Sequence, residues 1–501
     1  MNRRTGVWRT GLAVVLAITG AAALPAAHAS ATARTTTARP QDDPRDGFNR
    51  DDFNGDGYSD LAVAAPSATV GGRKAAGYVA VVYGSARGPK TSAKQVFSQN
   101  TAGVPGSSES GDRFGSALGT GDLDGDGYAD LVVGVGGEDT SAGIDAGLVE
   151  VIWGGAKGLS GGATLAGGNA RDALGAKGHL AVADVDGDGG QDVITVQNDH
   201  DLRVLGGPFA RDGSTAHGGQ VVRDRFDSRV LDLATGDLNG DGVTDVAAVE
   251  NDGDEWDARH IVYWTGTTDG LTPYTLVHDI DGAALQGGEN LDIGDVNKDG
   301  YDDLVVGRAV DGADSDEDTP YAKGGRITWV PGTADGPDGT RAKFIYQDTP
   351  MVPGTAEKGD YFGTDVSVAD VDGDGYADIA AGVPGEDLGS IADAGSVVVL
   401  RGTDTGPTSS GSVGFSQNTR GVPGTAEKGD AFGAATRLVD LDHDGRAELL
   451  VGAPGENGGQ GGVWVFRADE HGITAAGSRT FGAGTLGTVA AGAALGSGFD
   501  D

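Results

Sequence analysis

Seven short stretches hold most of the residues in this chain that could do chemistry: DFNGDGYSD at 52–60, DLDGDGYAD at 122–130, DVDGDGGQD at 184–192, DLNGDGVTD at 237–245, DVNKDGYDD at 295–303, DVDGDGYAD at 370–378 and DLDHDGRAE at 440–448. Each offers oxygens at its first, third, fifth and ninth positions and a backbone carbonyl at the seventh. The first copy supplies Asp52, Asn54, Asp56, the Tyr58 carbonyl and Asp60; the second supplies Asp122, Asp124, Asp126, Tyr128 and Asp130. The third has Asp184, Asp186, Asp188, Gly190 and Asp192, and the fourth Asp237, Asn239, Asp241, Val243 and Asp245. The fifth has Asp295, Asn297, Asp299, Tyr301 and Asp303; the sixth Asp370, Asp372, Asp374, Tyr376 and Asp378; the last Asp440, Asp442, Asp444, Arg446 and Glu448. Hard oxygens on a flexible loop suit Ca2+, whereas Mg2+ demands a tighter octahedron. Gly stands at position six in all seven, where a sharp turn needs φ > 0.

An EF-hand would need a bidentate Glu at position twelve. Val63, Val133, Thr195, Ala248, Val306, Ala381 and Val451 stand there instead, so the EF-hand is excluded. Asp, Asn and Gly also favour ordinary turns. That accounts for one such run, but not for five liganding positions at fixed spacing in every copy. Up to seven structural Ca2+ ions are therefore expected. Asn239 and Asn297 lower the anionic count of their loops, and Glu448 makes the last loop the expected deviant. Lys298 and His443 fall on a non-liganding position and should not abolish binding.

The loops need elements to hold them. A short run of small or apolar residues precedes many copies, as in FGSALGTG at 114–121. A buried-strand pattern follows directly, as in LVVGVG at 131–136, and then GLVEVIWG at 147–154. A fourth, weaker strand such as KQVFSQN at 94–100 leads onward. The motifs start 53 to 75 residues apart, which is blade-sized and too irregular for a solenoid. The expected fold is all-β: a seven-bladed β-propeller over 47–501. ALGSGFDD at 494–501 is similar to FGSALGTGD, with Leu495-Gly496 in the place of Phe114-Gly115. This C-terminal segment is expected to complete the first blade.

The chain has 501 residues, no Cys, 91 Gly and a formal net charge of −39. Zero Cys excludes disulfides, thiolate metal sites and thiol nucleophiles. The acidity argues against nucleic acid and anionic membrane surfaces as partners. Arg3, Arg4 and Arg9, the apolar run from Leu12 to Leu24 and Ala27-His28-Ala29 make 1–29 a secretory signal, and 30–46 reads as a flexible leader. Secretion to the extracellular space follows, with no later membrane span, since no stretch reaches roughly 18 apolar residues.

The order FG, then DxDGDGxxD, then GAP resembles the FG-GAP repeats of the integrin α N-terminal propeller. The copies that carry it are Phe114-Gly115 with the second motif, Phe362-Gly363 with Gly382-Val383-Pro384, and Phe432-Gly433 with Gly452-Ala453-Pro454. The third and fourth repeats have neither FG nor GAP. The resemblance implies calcium loops on one face and partner docking on the other. That second face would carry 101–113, 137–146, 309–323, 350–361, 384–394, 419–431 and 454–461. Within it, GVPGSSESGDRFG, MVPGTAEKGDYFG and GVPGTAEKGDAFG are near-copies, read here as turns feeding the next blade.

Catalytic signatures are thin. Gly158-Leu159-Ser160-Gly161-Gly162 fits G-x-S-x-G and 482–487 fits G-x-G-x-x-G, both without an expected helix. The loop acids Asp311, Asp314, Asp316, Glu317 and Asp318 read as a solvated surface. The expectation is a monomeric, non-catalytic adhesion or recognition module for a protein or cell-surface ligand. The alternatives are a glycan-binding lectin, with Trp153, Trp264 and Trp329 as candidate sugar platforms, and a secreted hydrolase.

Overall fold

The computed structural model describes residues 51–223, 228–253, 258–310 and 323–500. The expected signal over 1–29, the leader over 30–46 and the acids Asp311, Asp314, Asp316, Glu317 and Asp318 lie outside the described residues. Strand order within every sheet follows the chain, and every pairing is antiparallel. The second blade shows the plan: Phe114–Gly121, Asp130–Val135, Leu148–Trp153 and Ser160–Gly167, from inner to outer edge. Six such four-stranded sheets and one of three strands make seven blades, so the fold is the expected β-propeller.

Position in the blade explains composition. The second strands lie between two neighbouring blades and are buried on both faces, which is why LAVAA at Leu61–Ala65 and DLVVGV at Asp130–Val135 are almost continuously apolar. Outer strands meet solvent on one side and are mixed, as in TSSGSVGF at Thr408–Phe415. Inner strands crowd the axis and need small residues. A Cβ on Gly121 would lie 2.8 Å from Val182 of the next blade, and one on Gly236 would lie 2.2 Å from Ile293. The described residues bury seven apolar clusters, each drawn from two adjacent blades.

The three-stranded sheet is the first blade: Leu61–Ala65, Tyr78–Val82 and Lys94–Phe97. The chain end supplies what it lacks. Val63 bridges Phe499, Ala64 N donates to the Gly498 carbonyl at 3.0 Å, and Gly496 N donates to the Ala64 carbonyl at 3.2 Å. Leu495 bridges Gly461 in the same parallel manner as Phe362 bridges Gly325 and Phe432 bridges Gly395, so it occupies the FG position, as its sequence suggests. Arg437, from the inner strand Ala435–Val439, then pairs with both Asp51, just before the first acidic loop, and Asp500, and so ties the first loop and the C-terminal segment to one blade.

Two details depart from expectation. The third blade does have an FG equivalent: Leu174 bridges Gly147, and Gly175 has φ of +76°. Leu in place of Phe hid it. The G-x-G-x-x-G at 482–487 contains a single helical turn, Ala483–Leu486, rather than continuous strand. No helix among the described residues is long and apolar enough to cross a membrane.

Candidate metal centres

Each acidic loop joins the inner strand of its blade to the second, except the first, where the chain enters the ring. One bonding scheme serves them all. The position-one carboxylate gathers backbone N–H groups from the turn it faces: Asp122 takes those of Asp126 at 3.0 Å and Gly127 at 2.8 Å. The position-five carboxylate accepts the N–H of position seven, as Asp126 does from Tyr128 at 3.2 Å. The same bond fixes Tyr58, Gly190, Val243, Tyr301, Tyr376 and Arg446, the other residues expected to offer a carbonyl. Gly127 has φ of +88°, which an L side chain rarely adopts.

Position nine has a second duty that sequence did not disclose. Asp130 accepts Leu123 N at 2.9 Å with one oxygen and Gly154 N at 2.7 Å with the other. Gly154 lies just past the end of the third strand, so this carboxylate brackets the loop to its own blade. Asp60, Asp192, Asp245, Asp303 and Asp378 make the equivalent bond to Gly84, Gly207, Gly266, Gly332 and Gly402. Glu448, with its longer arm, accepts Leu441 N at 3.0 Å with one oxygen and Ala468 N, in its blade's third strand, at a long 3.5 Å with the other, so the last bracket is kept but loosened. Burial pushes all of these carboxyls up: Asp60 and Glu448 to about 8, Asp130, Asp245, Asp303 and Asp378 to about 7, and Asp192 to about 6. Their N–H donors pull the other way and are outweighed.

The loops divide into two sets. In four of them three carboxylates bring ligand atoms within 4.8 Å of one another: Asp122, Asp124 and Asp130; Asp184, Asp186 and Asp192; Asp370, Asp372 and Asp374; Asp440, Asp442 and Glu448. These four carry Asp at position three, and basic side chains from outside the loop lean on them. Arg211 Nε stands 2.6 Å from Asp124, His217 Nδ1 2.8 Å from Asp188, Arg401 Nη1 2.8 Å from Asp372 and Arg467 Nη2 3.6 Å from Asp442. The first, fourth and fifth loops carry Asn at position three, and there the amide donates into the cluster. Asn54 Nδ2 lies 3.3 Å from Asp60, Asn239 Nδ2 3.2 Å from Asp245 and Asn297 Nδ2 2.9 Å from Asp299. A hard divalent cation fits the first set directly, because its carboxylates already converge and their mutual repulsion is what such an ion relieves.

Neighbouring loops also touch. The N–H of position eight donates to the position-one carbonyl of the preceding loop, as Ala129 does to Asp52 at 3.1 Å, Asp302 to Asp237 at 3.0 Å and Ala447 to Asp370 at 2.8 Å. Gly at position four makes room for the next loop's seventh side chain. The Tyr128 ring lies 2.6 Å from where a Gly55 Cβ would be. Lys298 and His443 hold that position with φ of +57° and +60°, so both adopt the glycine conformation outside the liganding set. The candidate sugar platforms fail on exposure: Trp153, Trp264 and Trp329 are 2%, 1% and 2% exposed and belong to the core.

Comparison with known proteins agrees with the fold. The FG-GAP repeat model matches residues 51–82, 114–147, 362–400 and 432–466. The chain is 29% identical over 202 residues to integrin alpha-8 of Mus musculus, covering 39% of this chain and 17% of that protein. It is 29% identical over 233 residues to integrin alpha-IIb of Homo sapiens, covering 44% and 20%. It is also 32% identical over 108 residues to phosphatidylinositol-glycan-specific phospholipase D of Mus musculus, covering 21% and 12%. The chain thus spans a fifth or less of the length of each of these relatives. It is a seven-bladed β-propeller built with FG-GAP repeats, related to the integrin alpha chains.

Proposed function

We propose that the protein is an exported, calcium-loaded propeller that recognises a protein or cell-surface ligand and carries out no chemistry of its own. The observation that carries the reading is the convergence of three carboxylates in each of four equivalent loops. In the second loop the ion would be held by Asp122, Asp124, Asp126, the Tyr128 carbonyl and Asp130, with the corresponding residues serving in the other loops. Calcium supplies charge neutralisation there, and the chain's own groups do the positioning. Backbone N–H donors hold the position-one and position-nine carboxylates in place. Loop-to-loop bonds then pass that order to the neighbouring blade.

The relation to integrin alpha chains supports recognition as the use of such a ring. The docking face in this reading is the one opposite the acidic loops, where 137–146, 384–394 and 454–461 turn between second and third strands. The test is metal analysis of the purified chain, followed by a pull-down of the calcium-loaded protein against its native surface or secretome. Fewer than one bound Ca2+ per chain would sink the metal reading. A broad esterase, phosphatase and glycosidase screen tests the non-catalytic reading, and turnover abolished by a single substitution would overturn it.

A further inference from the structure

One constellation recurs at three blade junctions and has no part in the acidic loops. At the junction of the first and second blades it joins Gln99, just after an outer strand, Asp112, just before an inner strand, and Glu138, just after a second strand. Gln99 Nε2 donates to Glu138 Oε2 at 2.7 Å across 39 residues of chain. The same bond joins Gln347 to Glu386 at 2.7 Å and Gln417 to Glu456 at 2.6 Å. The third member is Asp360 or Asp430 in those copies, each accepting a backbone N–H three residues earlier at 2.6 Å. The near-copies GVPGSSESGDRFG, MVPGTAEKGDYFG and GVPGTAEKGDAFG are therefore more than turns: each contains the aspartate of one constellation, three residues before its final Gly.

The glutamines are the telling members. Gln99, Gln347 and Gln417 are 3%, 1% and 3% exposed, and in all three Oε1 is buried with no hydrogen-bond partner. A buried acceptor is rarely left unmatched. One such atom could be incidental, whereas three at the same structural position form a pattern. The same amides are anchored among carboxylates by their Nε2 groups. Those carboxylates crowd each other: Asp430 and Glu456 stand within hydrogen-bond reach, and Asp112 with Glu138 and Asp360 with Glu386 are close enough to repel. In each copy two acids gather around one glutamine amide whose Nε2 is bonded and whose oxygen is not, and no ion pair to Lys, Arg or His is found for these acids among the described residues.

We propose that these three junctions form a second class of cation site, in which one hard divalent ion is bound by Asp112, Glu138 and the Gln99 amide oxygen, and likewise at the two equivalent junctions. With only three protein oxygens the ion keeps water on its remaining positions, which both Ca2+ and Mg2+ tolerate. Unlike the acidic loops, where one nine-residue stretch supplies every ligand, these sites join two blades. The molecule contains its own control. At the junction of the seventh and first blades the Ala68 carbonyl accepts Gly77 N just as the Glu138 carbonyl accepts Gly147 N, so Ala68 stands in the glutamate's place and no site forms.

This proposal is independent of the acidic-loop reading, and Mn2+ tests it on the full chain. Crystals grown with manganese chloride should give anomalous peaks beside Gln99, Gln347 and Gln417. In solution, the combined variant Glu138→Gln, Glu386→Gln, Glu456→Gln should bind three fewer Mn2+ than the parent while keeping its circular dichroism. Should that variant not fold, Glu138→Gln alone should lose one. Asp122→Asn should also lose one, from the loop face. Peaks confined to the acidic loops, or an unchanged count in a folded glutamate variant, would overturn the proposal and leave the carboxylate pairs sharing protons instead.

Discussion

The loops at 122–130 and 237–245 share one fold and one bonding scheme, yet they differ at position three, Asp124 against Asn239, and their surroundings differ accordingly. Around Asp124 three carboxylates converge, and Arg211 reaches in with Nε 2.6 Å from Asp124. Around Asn239 the amide itself bonds within the loop. Its Oδ1 accepts Asp241 N at 2.9 Å, and its Nδ2 leans toward Asp245 at 3.2 Å. Replacing one carboxylate by an amide removes a charge and adds a donor, so the Asn loops largely settle their electrostatics internally. The Asp loops keep a surplus that only a cation resolves, whether an ion or an imported guanidinium. The comparison therefore separates loops that are merely acidic from loops that demand a partner.

The largest perturbation should erase that difference by removing what both sets share. Deleting residues 490–501 removes Leu495 and Phe499 from the core cluster between the seventh and first blades, together with Asp500, a partner of Arg437. Two buried side chains of this kind are worth about 1.5–3 kcal/mol each. The loss of closure adds to that figure, because it exposes both edges of the ring. A sharp fall in melting temperature is expected, with calcium affinity falling in both sets of loops together. An unchanged melt would mean that the ring does not depend on this closure.

Chelation should come next and should act mostly on the Asp loops. An ion at a hundredfold excess over its Kd stabilises by about 2.7 kcal/mol per site, so several filled sites should move the melting temperature by on the order of 10 °C. The pH dependence fixes the sign. A carboxyl whose pKa is raised by folding keeps its proton in the folded chain after the unfolded chain has lost it. In chelator, folding is therefore favoured at low pH. That contribution fades as pH climbs from about 4 through the folded values of about 6 to 8. With calcium present the ion replaces the proton, and stability should rise across the same window. Calorimetry from pH 4.5 to 8.5, with and without chelator, should give slopes of opposite sign; parallel slopes would contradict the metal reading.

Exchanging the two residue types should convert one loop into the other. Asp124→Asn should weaken calcium binding at the second loop by roughly tenfold, since affinity in such loops follows ligand charge count. It should also make the chelated protein slightly more stable, because one repelling carboxylate has gone. Asn239→Asp should do the reverse at the fourth loop. Titration calorimetry on the two single variants and the double variant checks this, and equal affinities throughout would show that position three is not a ligand.

What the sequence disclosed follows from how local each feature is. Every loop ligand sits within one nine-residue stretch, so spacing alone was enough to propose the set, and the blade plan followed from strand runs repeating around it. What stayed hidden depends on contacts far along the chain. Nothing in the motif shows that Asp130 also holds Gly154, or that Arg211 and Arg401 come to rest on Asp124 and Asp372. Leu174-Gly175 was missed for a different reason. Burial at that position asks for a large apolar side chain, which Leu satisfies as well as Phe, so the Phe-Gly pair alone does not mark every copy.

The smallest effect probes the contact between loops, and it turns on two glycines that look equivalent in sequence. Gly55 and Gly125 both hold position four, with φ of +69° and +73°. A Cβ on Gly55 would lie 2.6 Å from the Tyr128 ring, whereas one on Gly125 would meet nothing within 4 Å. The reason is the next loop's seventh residue, which is Tyr128 beside Gly55 but the bare Gly190 beside Gly125. Gly125→Ala should cost about 1 kcal/mol, the backbone penalty of a positive φ. Gly55→Ala should cost about 1 kcal/mol more, because the ring must also move. Adding Tyr128→Gly should cancel that excess in Gly55→Ala and leave Gly125→Ala unaffected, since the carbonyl at position seven is retained. If the excess survives removal of the ring, the loops act separately, and the ring of calcium sites transmits nothing from blade to blade through this contact.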